Sequence, residues 1–230
     1  MTMGDWLKTV YSETSSIKLN NHYKKWSSKY DQDMKEWGYA YPSQLKKIIQ
    51  ENLKFKKNIK ILDAGCGTGY VAEALIELKF KNIVGIDFSK SMLEIAKEKK
   101  IYRKLICQSL NDKIKLRTNQ FELVVCTGVL TSGHVGPNAI KEMIRVVKPG
   151  GYFICSIAQS IFIKNGFKKE IENLHEILKT KFISRQFVAL PQNKGSAKSR
   201  LYILQNYLIK KKGPEGPLIF LILLAINYQI

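Results

Sequence analysis

Nowhere in the 230 residues does an apolar run approach the roughly 18 needed to cross a bilayer, which argues against a spanning helix. Cysteine is scarce: Cys66, Cys107, Cys126 and Cys155 stand singly in or beside apolar runs, with no Cys-x-x-Cys or Cys/His spacing. That pattern predicts free, mostly buried thiols in a reducing compartment and gives a metal site little support. The opening stretch 1–13 contains Asp5 and Lys8 and no continuous apolar segment, so a secretory leader is not expected and a cytoplasmic setting is. Repeats and low-complexity tracts are missing too, and 45% hydrophobic with 25% charged residues excludes disordered and collagen-like classes. A chain of this length makes one domain, or one domain with a small addition, and can bury its core without disulfides or structural metals.

Acidic residues are in deficit, 19 against 38 basic, for a net charge of +19. Such a balance fits nucleic acid, an acidic membrane or an anionic substrate as partner. The shortage of arginine, five of the 38, counts the other way, because Arg is the preferred residue for bidentate phosphate recognition. Richness in Ile and Asn beside Lys reads as compositional drift. A nucleic-acid partner therefore stays open but is not favoured.

Along the chain, short β-like runs alternate with helical patterns. An amphipathic helix is expected over 43–53, followed by strands at 59–64, 82–87, 105–108, 121–127 and 152–157. Helices are expected over 68–78, from the N-cap Ser89 through 99, over 137–147 and over 168–179. Lys148-Pro149-Gly150-Gly151 stops the third of these. Two closing runs, 182–190 and 200–208, have no helix between them and predict an antiparallel edge hairpin. The fold class is therefore α/β: a doubly wound, mostly parallel sheet with helices on both faces.

The sharpest local signal is Asp63-Ala64-Gly65-Cys66-Gly67-Thr68-Gly69-Tyr70, where a buried strand ends and a helix starts. Alternate glycines allow a tight turn and close approach of a ligand, and the helix N-terminus beyond offers free N–H groups. A dinucleotide fingerprint would need glycine at 70, and Tyr70 stands there. Gly85-Ile86-Asp87-Phe88-Ser89 then places a carboxylate at the end of the second strand, where its oxygens can accept both hydroxyls of a ribose.

These two segments resemble motif I and the following acid of the class I S-adenosylmethionine-dependent methyltransferases. With Tyr30-Asp31-Gln32-Asp33, Gly133-His134-Val135 and Arg145-Val-Val-Lys-Pro-Gly-Gly-Tyr152, the chain from about 26 to 208 is similar to the methyltransferase-like protein 27 (Williams–Beuren region) group. The resemblance implies a Rossmann-like seven-stranded sheet of order 3-2-1-4-5-7-6, with S-adenosylmethionine as cofactor. It further implies that Gly65, Gly67 and Gly69 hold the methionine portion, with Ala64 and Cys66 in the same turn, and that Asp63 helps position its amino group. Asp87 would take the ribose, Phe88, Ser89 and Met92 would lie beside the adenine, and Ser109 and Leu110 would meet the adenine edge. Thr127, at the end of the fourth strand, and Tyr30 complete the implied cofactor set. Many relatives carry Asp where Ser109 stands, which implies a weaker bond to the adenine amino group. Glu122 likewise stands where Asp is common.

Catalysis leaves less trace. Methyl transfer to an activated sulfonium can proceed on positioning alone. No Asp/Asn-Pro-Pro-Tyr sequence is present, which argues against amino-methylation of adenine, cytosine or glutamine. His134 is the candidate general base, with a backbone-bonded loop histidine as the plain alternative. Tyr11, Trp26, Tyr30, Trp37 and Tyr39 suggest either an N-terminal lid or ordinary packing. The charges interleaved over 16–41 make a continuous buried face hard to form, so the segment is expected to be mobile until cofactor orders it. The domain reading is a lid over 1–40, a catalytic domain over 41–212 and an apolar tail over 213–230. The function expected is methyl transfer to a small-molecule acceptor; the alternatives are a non-catalytic cofactor-binding partner module and a nucleic-acid-directed methyltransferase.

Overall fold

The computed structural model describes residues 15–131, 135–192 and 196–207. Eight strands form one sheet: β1 (Ile61–Ala64), β2 (Ile83–Asp87), β3 (Lys104–Cys107), β4 (Phe121–Leu130), β5 (Val147–Ala158), β6 (Leu178–Ile183), β7 (Phe187–Val188) and β8 (Lys198–Asn206). The order is β3-β2-β1-β4-β5-β8-β6, with β7 on β8. The first five strands run parallel, and β8 is antiparallel to β5, β6 and β7.

Alternation along the strands splits the core into two layers. Leu62, Ile86, Val124 and Phe153 face one way, against Ile140, Met143 and Ile144 of α6 (Ala139–Val146) and Phe167 of α8 (Phe167–Asn173). Ile61, Ile83, Leu123, Val125 and Ile154 face the other, against α3 (Tyr41–Asn52) and α4 (Ala72–Glu77). Strands buried on both faces read as unbroken apolar runs, which is why they stand out in the sequence. The remaining helices among the described residues are α1 (Ser16–Trp26), α2 (Tyr30–Glu36), α5 (Lys90–Glu98) and α7 (Gln159–Phe162).

Three elements depart from the sequence reading. The expected closing strand 182–190 is two strands, and the first starts at Leu178. Ser184 divides them: its hydroxyl accepts the Leu201 N–H at 2.9 Å and donates to the Arg185 carbonyl at 2.8 Å, turning the chain. The helix expected over 168–179 ends at Asn173, because Leu178 is drawn into the sheet opposite Asn206. The helix expected from 68 begins at Ala72, the preceding residues forming the wall of a cleft. The apolar run 218–226 and Tyr11 lie outside the described residues. No helix among the described residues is long and apolar enough to cross a membrane.

Candidate functional site

Strand order reverses between β1 and its neighbours β2 and β4, and a cleft opens beyond their C-terminal ends, the place where an open α/β sheet leaves a crevice. One wall is the turn after β1. Gly67 there has φ +51°, and a Cβ on it would meet nothing within 4 Å, so its backbone faces open space. The turn is fixed from below by Asp87, which is buried at the end of β2. Its Oδ2 accepts the Gly67 N–H at 2.9 Å and its Oδ1 accepts the Ser89 N–H at 2.8 Å. Burial raises the Asp87 pKa, while the backbone N–H groups of Ser89, Gly67 and Phe88 pull it back down. The carboxylate keeps acceptor capacity for a ligand hydroxyl.

Of the residues singled out from sequence, Tyr30, Gly65, Cys66, Gly67, Asp87, Phe88, Met92, Ser109, Leu110 and Thr127 line the cleft. The Thr127 side chain is 5% exposed, and its hydroxyl has no hydrogen-bond partner among the described residues. An unpaired buried hydroxyl costs free energy until something bonds it, so this one marks a position for a ligand polar atom. Burial, with Asp63 nearby, pushes the Cys66 thiol well up, so it contributes apolar lining and no nucleophile. The Ser109 hydroxyl accepts the Asn111 N–H at 3.1 Å, closing a small turn at the rim.

Asp63, Ala64, Gly69 and Ser89 are not brought to the cleft surface. Asp63 lies under the turn, 2% exposed, and accepts the Tyr102 hydroxyl at 2.7 Å. Burial drives its pKa up to about 7. Ala64 is fully buried in β1. A Cβ on Gly69 would meet the Tyr102 ring at 3.0 Å, so this glycine faces the same half-buried tyrosine. Ser89 takes the expected N-cap backbone of α5, but its hydroxyl pairs with that of Ser91 at 3.1 Å and makes no cap bond. His134 lies outside the described residues.

The opposite wall comes from the N-terminal segment. Leu19 and Tyr23 of α1, Tyr30 of α2 and Tyr39 all line the cleft, facing Tyr70 and Phe88. The expectation that interleaved charges would deny this segment a buried face is not met: Leu19, Trp26 and Met34 are 5%, 3% and 2% exposed. Leu19, Tyr23, Trp26, Tyr30, Met34 and Trp37 recur at helical spacing, so the lysines between them point outward. Two acids serve the packing. Asp33 accepts the Trp26 indole N–H at 2.6 Å, and Asp31 accepts the Thr68 hydroxyl at 2.5 Å while pairing with Lys99. Lys99 also pairs with Glu73 at 2.6 Å and lies 5.7 Å from the Tyr70 ring centre. Gly128, at φ +74°, lets Tyr39 close on β4: a Cβ there would stand 2.1 Å from the tyrosine oxygen.

Sequence reasoning missed Thr68, Val71, Asn111, Gly128 and Val129 in the lining, and Tyr102 beneath it. Thr68 and Gly128 adjoin named residues and follow from the turn geometry. Tyr102 sits in a loop with no pattern to reveal it.

Comparison with known proteins agrees with this geometry. A methyltransferase-domain family model (Methyltransf_11) matches residues 62–155. Human methyltransferase-like protein 27 is 32% identical over 152 residues, 65% of this chain and 61% of that protein. Demethylmenaquinone methyltransferase of Staphylococcus aureus is 32% identical over 133 residues, 56% of this chain and 55% of that enzyme. The chain thus spans about three-fifths of the length of the curated relatives it matches. A Listeria monocytogenes structure assigned to the class I S-adenosylmethionine-dependent methyltransferases superposes with a TM-score of 0.59 at 18% identity, over 81% of this chain and 69% of that one. With its glycine turn, its acid after β2 and its sheet order, the chain is similar over residues 62–155 to a methyltransferase domain and shares its fold with a structure assigned to the class I S-adenosylmethionine-dependent methyltransferases.

Proposed function

We propose that the chain transfers a methyl group from S-adenosylmethionine to a small, uncharged, largely apolar acceptor. The observation that carries the acceptor class is the lining of the cleft. Although 38 of the 230 residues are basic, no Lys or Arg is among the described residues that line the cleft, and Asp87 is the one charged side chain among them. Tyr23, Tyr30, Tyr39 and Tyr70 supply ring faces instead, beside Leu19, Val71, Val129 and Val135. Such walls favour a neutral, flat or apolar molecule over a phosphate-bearing one. The Staphylococcus aureus relative is named for a demethylmenaquinone acceptor.

Two features fit the cofactor. The Thr127 hydroxyl lacks a partner among the described residues, and the Gly67 backbone faces space a side chain would fill. Gly65, Gly67 and Thr127 would hold the methionine portion, Asp87 the ribose, and Phe88, Met92, Ser109 and Leu110 the adenine. When bound, the cofactor supplies an electrophilic methyl on a positive sulfur. The chain's own work is to hold the acceptor in line with that methyl and to keep water out, the latter through residues 16–41 acting as a lid. His134, next to Val135 of the lining, is the proposed acceptor of a proton from the substrate.

Titration calorimetry with S-adenosylmethionine and labelled-methyl assays on fractionated extract test this reading. Asp87→Ala is expected to weaken cofactor binding by about 1.5–3 kcal/mol, and Thr127→Val by about 0.5–1.5 kcal/mol. Label is expected in the small-molecule fraction. Undetectable cofactor binding by the natural chain would overturn the cofactor role, and label confined to protein or RNA would overturn the acceptor class.

A further inference from the structure

The N-terminal ends of β1, β2 and β3 make the edge of the sheet opposite the cleft. Asn58, Asn82 and Arg103, which precede those strands, line an open groove there with Lys57, Lys79 and Lys81. The four cationic side chains are exposed, none forms an ion pair among the described residues, and the lining contains no carboxylate. Two are held in place. The Lys57 ammonium donates to the Leu78 carbonyl at 2.9 Å and lies 5.2 Å from the Phe80 ring centre. Lys79, at φ +68°, occupies the left-handed position after α4 that glycine usually takes.

We propose that this groove docks the sugar–phosphate backbone of a nucleic acid. Its concavity admits a phosphate ridge, whereas a flat bilayer would touch only the rim. No large exposed apolar side chain of the described residues lies in it to anchor in lipid. The two asparagine amides can bond phosphate and sugar oxygens between the cations. At about 3.3 Å per residue, the strands separate groove from cleft by roughly 13–17 Å. The nucleic acid is therefore an anchor, distinct from the methyl acceptor, and this inference stands whether or not the proposed acceptor class does.

The test is fluorescence anisotropy of a labelled single-stranded RNA with the full chain across a salt series. Lys81→Glu with Arg103→Glu is expected to weaken binding about tenfold or more near 0.1 M salt. It should also flatten the slope of log affinity against log salt by about 1.4, two contacts at about 0.7 each. Lys179→Glu with Lys181→Glu, the same charge change on β6, is expected to alter affinity less than about threefold. Equal losses in both variants would assign binding to net charge and overturn the groove. Failure of the natural chain to bind RNA would also overturn it, as would tighter, groove-dependent binding to phosphatidylserine–phosphatidylcholine vesicles. Calorimetry on the groove variant should show unchanged affinity for S-adenosylmethionine and so reports separately on the methyltransferase reading.

Discussion

Asp63, buried under the glycine turn, ties the stability of the fold to pH. Burial is the main cause of its rise to about 7; the Tyr102 hydroxyl opposes it and the Asp87 charge adds to it. A carboxyl raised in the folded state holds a proton that the unfolded chain has already lost above pH 4. Its stabilising contribution is full below that pH and is lost as pH climbs through 7, by up to about 1.4 kcal/mol for each unit. Urea unfolding at pH 5 and pH 8 is expected to give the lower stability at pH 8, and Asp63→Asn is expected to remove most of that difference. A variant that keeps the full pH dependence would show that another group causes it. Asp63, the glycines and Asp87 were legible because motif spacing and strand ends announce them. That Asp63 bonds a tyrosine 39 residues away, while Thr127 has no partner among the described residues, depends on packing that no spacing encodes.

At the scale of elements, α1 and α2 are joined to the glycine turn by one carboxylate. Asp31 meets both Thr68 and Lys99, so the wall carrying Tyr23 and Tyr30 is tied to the wall carrying Gly67. Asp31→Ala removes both ties. The pair is partly exposed, so a cost of about 1 kcal/mol is expected, near a fivefold rise in local opening. Hydrogen exchange over 16–36 would read it, with cofactor expected to slow exchange in the natural chain. Exchange identical with and without cofactor would show a permanently packed helix pair and end the lid proposal. The aromatic stripe of α1 and α2 was present in the sequence at helical spacing, but attention to the intervening charges obscured it. The strands were legible from their doubly buried runs. The division at Ser184 was not, because it depends on the backbone of Leu201, a distant partner.

At the scale of the molecule, charge and chain order are distributed in ways a linear reading does not disclose. Lys57, Lys79, Lys81 and Arg103 are scattered along the sequence and become neighbours only because three parallel strands begin at one edge. Strand β8 raises a matter of timing. It lies between β5 and β6, and β7 also pairs with it, so everything from Leu178 to Val188 in the sheet waits on the last strand described. In chain order, β5 keeps a bare edge until residues 198–206 arrive. An unpaired apolar edge is prone to aggregate. Pulse-labelled hydrogen exchange during refolding is expected to protect β6 no earlier than β8, its sheet neighbour among the described residues, and earlier protection of β6 would contradict this dependence. On a ribosome, the growing chain would carry an open sheet until Asn206 has cleared the exit tunnel, making the last described strand the step at which a chaperone has most to shield.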